Sequence, residues 1–278
     1  MAEPLHIDRN GHRTWLKWHR ARRKPSDPVF TGARILEAMR LGASVEVDLV
    51  VTADKGFAVL HDLALDHETT GTGLVAATGD AVIRQLHLRG NNGVPLADRV
   101  MLLDDLCALM EGGQVHPDAL LQLDYKEDLA ALDPKTVTNF ARNVGPHAGN
   151  MIVSGGDLPA VLCLAEATPG LRVGYDPCYG ESLARLQASL DYDAFTSEAL
   201  RAAPQAAFIY LHHEIVLAAD RAGYDMIAAI HADNRQVDAW TIREVTPASV
   251  AQVERLLALK VDQITTDDPE GLYAALTS

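Results

Sequence analysis

The chain has 278 residues, 48% of them hydrophobic, and a net charge of −14. That length suits one α/β barrel, typically ~250 residues, with a core of good size. The acidic balance excludes a general nucleic-acid binder, no run approaches the ~18 apolar residues of a membrane span, and the polar first ten residues lack a signal-peptide layout.

Short apolar, β-branched runs predict strands over 15–19, 45–51, 119–125, 151–154, 171–175, 207–211, 236–242 and 263–266. Between them, apolar residues recur at helical spacing over 32–41, 102–110, 134–143, 158–167, 182–190, 226–232 and 248–259. Asp157 with Pro159, and Thr246 with Pro247, are helix-start signals, and Asn234 suits a left-handed cap after 226–232. Eight strands, most followed by a helix, predict a (β/α)8 TIM barrel as one domain over 1–278; an open doubly wound sheet is the alternative. The segment 56–95 breaks the rhythm, with a further strand ending at His61-Asp62, and reads as a small inserted subdomain over one mouth of the barrel. Cys107, Cys163 and Cys178 are odd in number and lack metal-type spacing, so they read as reduced thiols in a cytoplasmic protein.

Charge gathers at the C-terminal ends of these strands, the rim where barrel enzymes build their active sites. His19 and Arg20 close the first, Glu46 and Asp48 lie on the second, and Asp124 and Lys126 close the third. Trp240 and Arg243 close the seventh, and Asp267 the eighth. Acids are depleted from strands, and residues at i and i+2 share a face, so Glu46 and Asp48 call for a reason. With Asp124 they would gather nearly three negative charges, which would raise their own pKa values unless a cation intervened. All-carboxylate ligation favours Mg²⁺, Ca²⁺ or Mn²⁺ over zinc; the plainer account is pairing with rim Arg and Lys. His19 and His61 each end an apolar run. Alone, either would read as structural; beside a metal triad they fit a general base and general acid on opposite sides of a phosphorus. Arg20 and Lys126 would neutralise a metal-bound anion, although Lys126 alone would be an ordinary salt-bridge lysine. The basic run His19–Lys24 reads as an anion site or as a solvated loop. His212-His213 could touch substrate or be plain rim, and Thr69–Gly73 is an anion nest or a turn. No Walker, Gly-x-Gly-x-x-Gly or Gly-x-Ser-x-Gly motif is present.

These residues resemble the glycerophosphodiester phosphodiesterase family. Its His-Arg-Gly, Glu-x-Asp, Thr-x-Asp-Gly turn and His-Asp correspond to His19-Arg20-Ala21, Glu46-Val47-Asp48, Thr52–Gly56 and His61-Asp62. Its Asp-Arg-Thr-Thr-x-Gly-x-Gly is echoed by Asp66–Gly73, its Glu-x-Lys by Asp124-Tyr125-Lys126, its Trp-Thr-Val-Asn by Trp240–Arg243 and its Thr-Asp-x-Pro by Thr266–Pro269. The motifs span nearly the whole chain in order. Ala21, Asp124 and Arg243 depart from glycine, glutamate and asparagine, and the usual Pro-Glu-Asn-Thr turn is missing between Lys24 and Gly32.

The resemblance implies a (β/α)8 barrel with an inserted subdomain and a divalent ion (Mg²⁺ or Ca²⁺) held by Glu46, Asp48 and Asp124. It implies acid–base work by His19 and His61 and phosphate contacts from Arg20 and Lys126; Trp240 and Arg243, at the same rim, are read as bounding the substrate. The implied reaction splits a small phosphodiester into glycerol 3-phosphate and an alcohol, with or without a cyclic phosphate on the way. Competing readings are phospholipase D-like cleavage of lysophospholipids, for which the sequence shows no exposed apolar patch, and a non-catalytic phosphate- or sugar-binding barrel. A metal-assisted lyase or aldolase, with Lys126 as its amine, is a fourth.

Overall fold

The computed structural model describes residues 3–277. It opens on a hairpin that the strand pattern did not predict: β1 (His6–Arg9) runs antiparallel to β2 (His12–Trp18). Its two-residue turn is Asn10-Gly11, both at positive φ, the pair that such a turn favours. After α1 (Gly32–Leu41) comes β3 (Ser44–Val51), with all eight residues buried. Next, β4 (Phe57–Val59) folds back antiparallel on β3, so the expected strand reaching His61-Asp62 stops short of both residues. The inserted region then holds the single-turn α2 (Asp80–Ile83) and a separate two-stranded sheet, β5 (His87–Arg89) and β6 (Pro95–Arg99), extending past the expected end at 95.

From there strands and helices alternate: α3 (Leu103–Glu111), β7 (Leu120–Tyr125), α4 (Pro134–Val144), β8 (Met151–Gly155), α5 (Leu158–Glu166) and β9 (Arg172–Tyr175). Two helices, α6 (Gly180–Ser189) and α7 (Tyr192–Ala202), precede β10 (Ala206–His212), and two more, α8 (His213–Arg221) and α9 (Met226–Ala232), precede β11 (Gln236–Ile242). The chain closes through α10 (Pro247–Ala258), β12 (Gln263–Thr266) and α11 (Pro269–Thr277).

Strands β2, β3 and β7 to β12 pair in parallel, and β12 returns to β2. The barrel is closed, which settles the choice against an open sheet. Helix starts follow the capping signals: Asp157 accepts from Ala160 N and Thr246 from Ser249 N. Asn234 takes φ 58°, left-handed, just beyond α9. Besides the single-turn α2, helices α7, α8 and α11 were not expected. Helix α7 has its apolar positions interrupted by Asp193, Thr196, Ser197 and Glu198, α8 starts at the residue after β10, and α11 begins inside the Thr-Asp-x-Pro motif. The three cysteines are free. Among the described residues, no helix is long and apolar enough to cross a membrane.

Candidate active site

The site lies at the C-terminal rim. Beyond Trp18 the chain makes one tight turn, His19-Arg20-Ala21, with Arg20 and Ala21 at φ 51° and 58°. A side chain in that region costs ~1–2 kcal/mol, which accounts for the glycine that the family motif carries where Ala21 stands. The turn brings the Arg20 backbone N–H to Glu46 Oε2 at 2.7 Å. On β3, Glu46 and Asp48 register against Gln122 and Asp124 of β7, so the alternation expected from sequence sets the three acids side by side.

One carboxylate oxygen from each of Glu46, Asp48 and Asp124 lies within 4.8 Å of the others. Asp48 is fully buried, and neither of its oxygens receives a well-aligned hydrogen bond. Its neighbours are charges instead: Lys126 Nζ at 2.6 Å from Oδ1 and Arg20 Nε at 3.3 Å from Oδ2. Burial and the Glu46 charge push Asp48 up to about 7, against the pull of Lys126 and Arg20. Asp124 goes the other way: burial would raise it, but Lys126 and a hydrogen bond from Ser154 hold it below the ordinary carboxylate range. The Asp48 oxygens, paired with charges but without an aligned hydrogen bond, and the two acids crowded beside them fit a hard divalent cation, for which oxygen-only donors are the usual set.

His19 is buried, and its Nδ1 meets Asp267 Oδ1 at 2.6 Å. Burial of Asp267 is outweighed by His19 and Arg22, so this carboxylate is ionised and can only accept. The proton therefore sits on His19 Nδ1 and the Nε2 lone pair is free. Burial also lowers the His19 pKa, with Asp267 opposing, which leaves the ring neutral near pH 7. The sequence places Asp267 at the rim but gives it no partner; its contact with His19, across 248 residues, makes it the carboxylate that orients the ring. Asp267→Asn keeps the shape but offers Nδ1 a donor as readily as an acceptor. The variant is expected to lose roughly 10³–10⁴-fold in kcat with little change in KM. A loss below about tenfold in steady-state assays would remove Asp267 from this role.

His61 lies beyond β4, its backbone N–H held by Glu68 Oε2 at 2.9 Å and its Nδ1 against Asp62 Oδ1 at 2.8 Å. Glu68 also accepts from Asp62 N, so this second acidic group is engaged internally. The turn Thr69–Gly73 resolves as structural: Gly71 N donates to Thr69 Oγ1 and Gly73 N to Asp66 Oδ2, leaving no anion nest. The basic run divides. Arg20 faces the acids, Arg22 pairs with Asp267, and Arg23 is engaged by Glu3, Glu37 and Glu270.

His19, Arg20, Glu46, His61, Asp124 and Lys126 line one cavity of about 110 Å³, and Trp240 and Arg243 also border it. Trp240 stacks on Tyr179 at 6.0 Å, and Arg243 makes no ion pair within 4 Å among the described residues. His212 packs edge-on against Trp240 and His213 bonds the Trp240 carbonyl, so this pair supports the site wall and does not line the small cavity. A wider cavity of about 960 Å³ adjoins it and shares His61, Asp124, Lys126 and Tyr179. Six further residues of the small cavity were not anticipated: Lys17, Gln122, Asp176, Tyr179, Tyr210 and Thr265. Apart from Lys17, each looks like an ordinary strand or loop residue in sequence.

No family profile and no curated protein matches the chain. Solved structures do. Two proteins provisionally named glycerophosphoryl diester phosphodiesterases are similar: one from Agrobacterium tumefaciens (23% identity, 95% of this chain and 97% of that one, TM-score 0.69) and one from Silicibacter pomeroyi (20%, 95% and 93%, 0.72). An Oleispira antarctica phosphodiesterase solved with its product sn-glycerol-3-phosphate is 19% identical over 95% of this chain and 96% of that one, with TM-score 0.67. At these identities the likeness speaks to architecture: the chain has the (β/α)8 barrel fold of proteins named glycerophosphodiester phosphodiesterases.

Proposed function

We propose that the protein hydrolyses small glycerol-type phosphodiesters to glycerol 3-phosphate and an alcohol, with a divalent cation held by Glu46, Asp48 and Asp124. The carrying observation is that a carboxylate-oriented His19 and a second histidine, His61, border the same small cavity as two of the three acids, Arg20 and Lys126. A bound cation would supply charge neutralisation and polarise the phosphoryl oxygens. His19, neutral and with Nε2 free, accepts the proton of the attacking hydroxyl as the new P–O bond forms. Arg20 and Lys126 offset the charge that grows on the phosphoryl oxygens. His61 borders both cavities, so it faces the side on which the larger leaving group has room. It delivers a proton to the departing alcohol oxygen as that P–O bond breaks. If the glycerol hydroxyl attacks first, a cyclic phosphate forms and water opens it with the two roles reversed.

The test is a panel of glycerophosphodiesters with different alcohols, run with and without added Mg²⁺ or Ca²⁺ and read by release of glycerol 3-phosphate. Release that needs the cation supports the reading, and no release from any member would sink it. A second reading draws on one specific feature. Leu63, Leu74, Val82 and Val94 are exposed on the inserted region, and Leu63 lines the wider cavity. Lysophospholipids therefore belong in the same panel; their cleavage to a cyclic phosphate would favour that reading.

A further inference from the structure

Beneath the acids, a polar ladder crosses the barrel interior, an unusual place for charge. Lys17 on β2 is 2% exposed, and its Nζ lies 2.8 Å from Asp238 Oδ2 on β11 and 4.4 Å from the centre of the Tyr210 ring. The same ammonium donates to Gln122 Oε1 on β7. Gln122 Nε2 donates to Ser154 Oγ on β8 at 2.8 Å, and Ser154 Oγ donates to Asp124 Oδ1 at 2.6 Å. At the far end Thr265 Oγ1 donates to Asp238 Oδ1 at 2.7 Å. All of these side chains except Asp124 are buried.

We propose that Ser154, backed by Gln122 and Lys17, is a positioning residue that fixes the Asp124 carboxylate for cation binding. The inference rests on the metal reading above. Its physical content is the direction of the hydrogen bonds. An ammonium has donors only, so Lys17 forces Gln122 to present its carbonyl oxygen and to turn its amide NH₂ towards Ser154. Ser154, receiving that NH₂ at its oxygen, has one proton left and gives it to Asp124 Oδ1. This pins one carboxylate oxygen and directs the other, Oδ2, to the site, where Lys126 meets it. Parallel register sets Ser154 directly beside Asp124, so the bond needs no loop to hold it. Aspartate reaches one methylene less far than the glutamate of the family motif, so a ligand at this position depends more on being held in place. Hydrogen-bonded partners of this kind orient metal ligands, and their loss typically weakens binding by roughly 10–100-fold.

The test is calorimetric titration of the metal-free protein with Mn²⁺, Mg²⁺ and Ca²⁺, without substrate, for wild type, Ser154→Ala and Gln122→Glu. Ser154→Ala removes the donor. Gln122→Glu keeps size, adds a charge opposite Lys17, and offers Ser154 an acceptor, which draws its proton away from Asp124. Both are expected to weaken cation binding by roughly 10–100-fold. Thermal melts of the metal-free proteins accompany the titrations. Wild-type affinity in a folded Ser154→Ala, with only the melting temperature lowered, would make the ladder merely structural and overturn the proposal. Should Ser154→Ala fail to fold, Gln122→Glu decides by the same criterion. A wild type that binds none of the three ions overturns the metal reading itself, whereas a binding wild type with unaffected variants overturns this inference alone.

Discussion

His19→Ala is expected to fold and to lose roughly 10³-fold in kcat/KM on every substrate tested, because removing the base costs the same whatever leaves. His61→Ala is expected to behave differently. On a glycerophosphodiester with an alkyl alcohol it should lose about as much, since an alkoxide cannot depart unprotonated. On the p-nitrophenyl ester of glycerol phosphate, whose phenolate leaves without a proton, it should recover most of its activity. This asymmetry follows from placement. His19 is buried, bonded to Asp267 and confined to the small cavity, while His61 opens onto both. Steady-state kinetics of both variants on both substrates check it. Equal losses in all four combinations would leave both histidines necessary but their roles unassigned, and near wild-type rates in either variant would dismiss that histidine. The acid limb of kcat/KM for the wild type should fall with a midpoint below 6.5, since burial lowers the His19 pKa and protonation removes the base.

Chelation with EDTA is expected to abolish turnover, and Mg²⁺ or Ca²⁺ to restore it. Asp48 has no exposed surface and no aligned hydrogen bond, and burial beside Glu46 pushes it up to about 7. A carboxyl raised in the folded state favours the metal-free fold below its unfolded pKa, and that contribution is lost as pH climbs through about 7. Ligands must be ionised to bind, so cation affinity should weaken as pH falls below that value. Added Mg²⁺ or Ca²⁺ should therefore raise the melting temperature more at pH 8 than at pH 5.5. Asp48→Asn removes the ionisable group and should flatten this pH dependence along with activity. Turnover indifferent to EDTA, or a melting shift equal at both pH values, would contradict the assignment.

The main lines of the site were legible in sequence for a specific reason. Glu46, Asp48, Asp124 and Lys126 announce themselves because strands reject charge, and period-two alternation says which neighbours share a face. His19, Arg20 and His61 stand at the ends of apolar runs, where a barrel puts its chemistry. What was missed lacked either signal, or lacked a local partner for it. Gln122 and Ser154 are uncharged residues in strand segments; Lys17, between Leu16 and Trp18, did carry the charge signal, but nothing local tells which groups it meets across the barrel. The hairpin at Asn10-Gly11 carried a local turn signal, but β1 ahead of it is a strand of four residues with mixed polarity. The exposed apolar residues of the inserted region were invisible because exposure is not a property of residue type.

By itself, then, the sequence determined the alternation of strands and helices, the barrel and the acids that share one face, because these follow from local periodicity and chain order. The tertiary structure decided which polar groups meet across the barrel. It joined His19 to Asp267, turned Arg22 and Arg23 into ion-pair partners rather than an anion site, and ran hydrogen bonds from Lys17 through Gln122 and Ser154 to Asp124. Closing eight strands into a ring makes neighbours of residues far apart in the chain. Once they are buried together, the cost of an unpaired polar group dictates how each proton points.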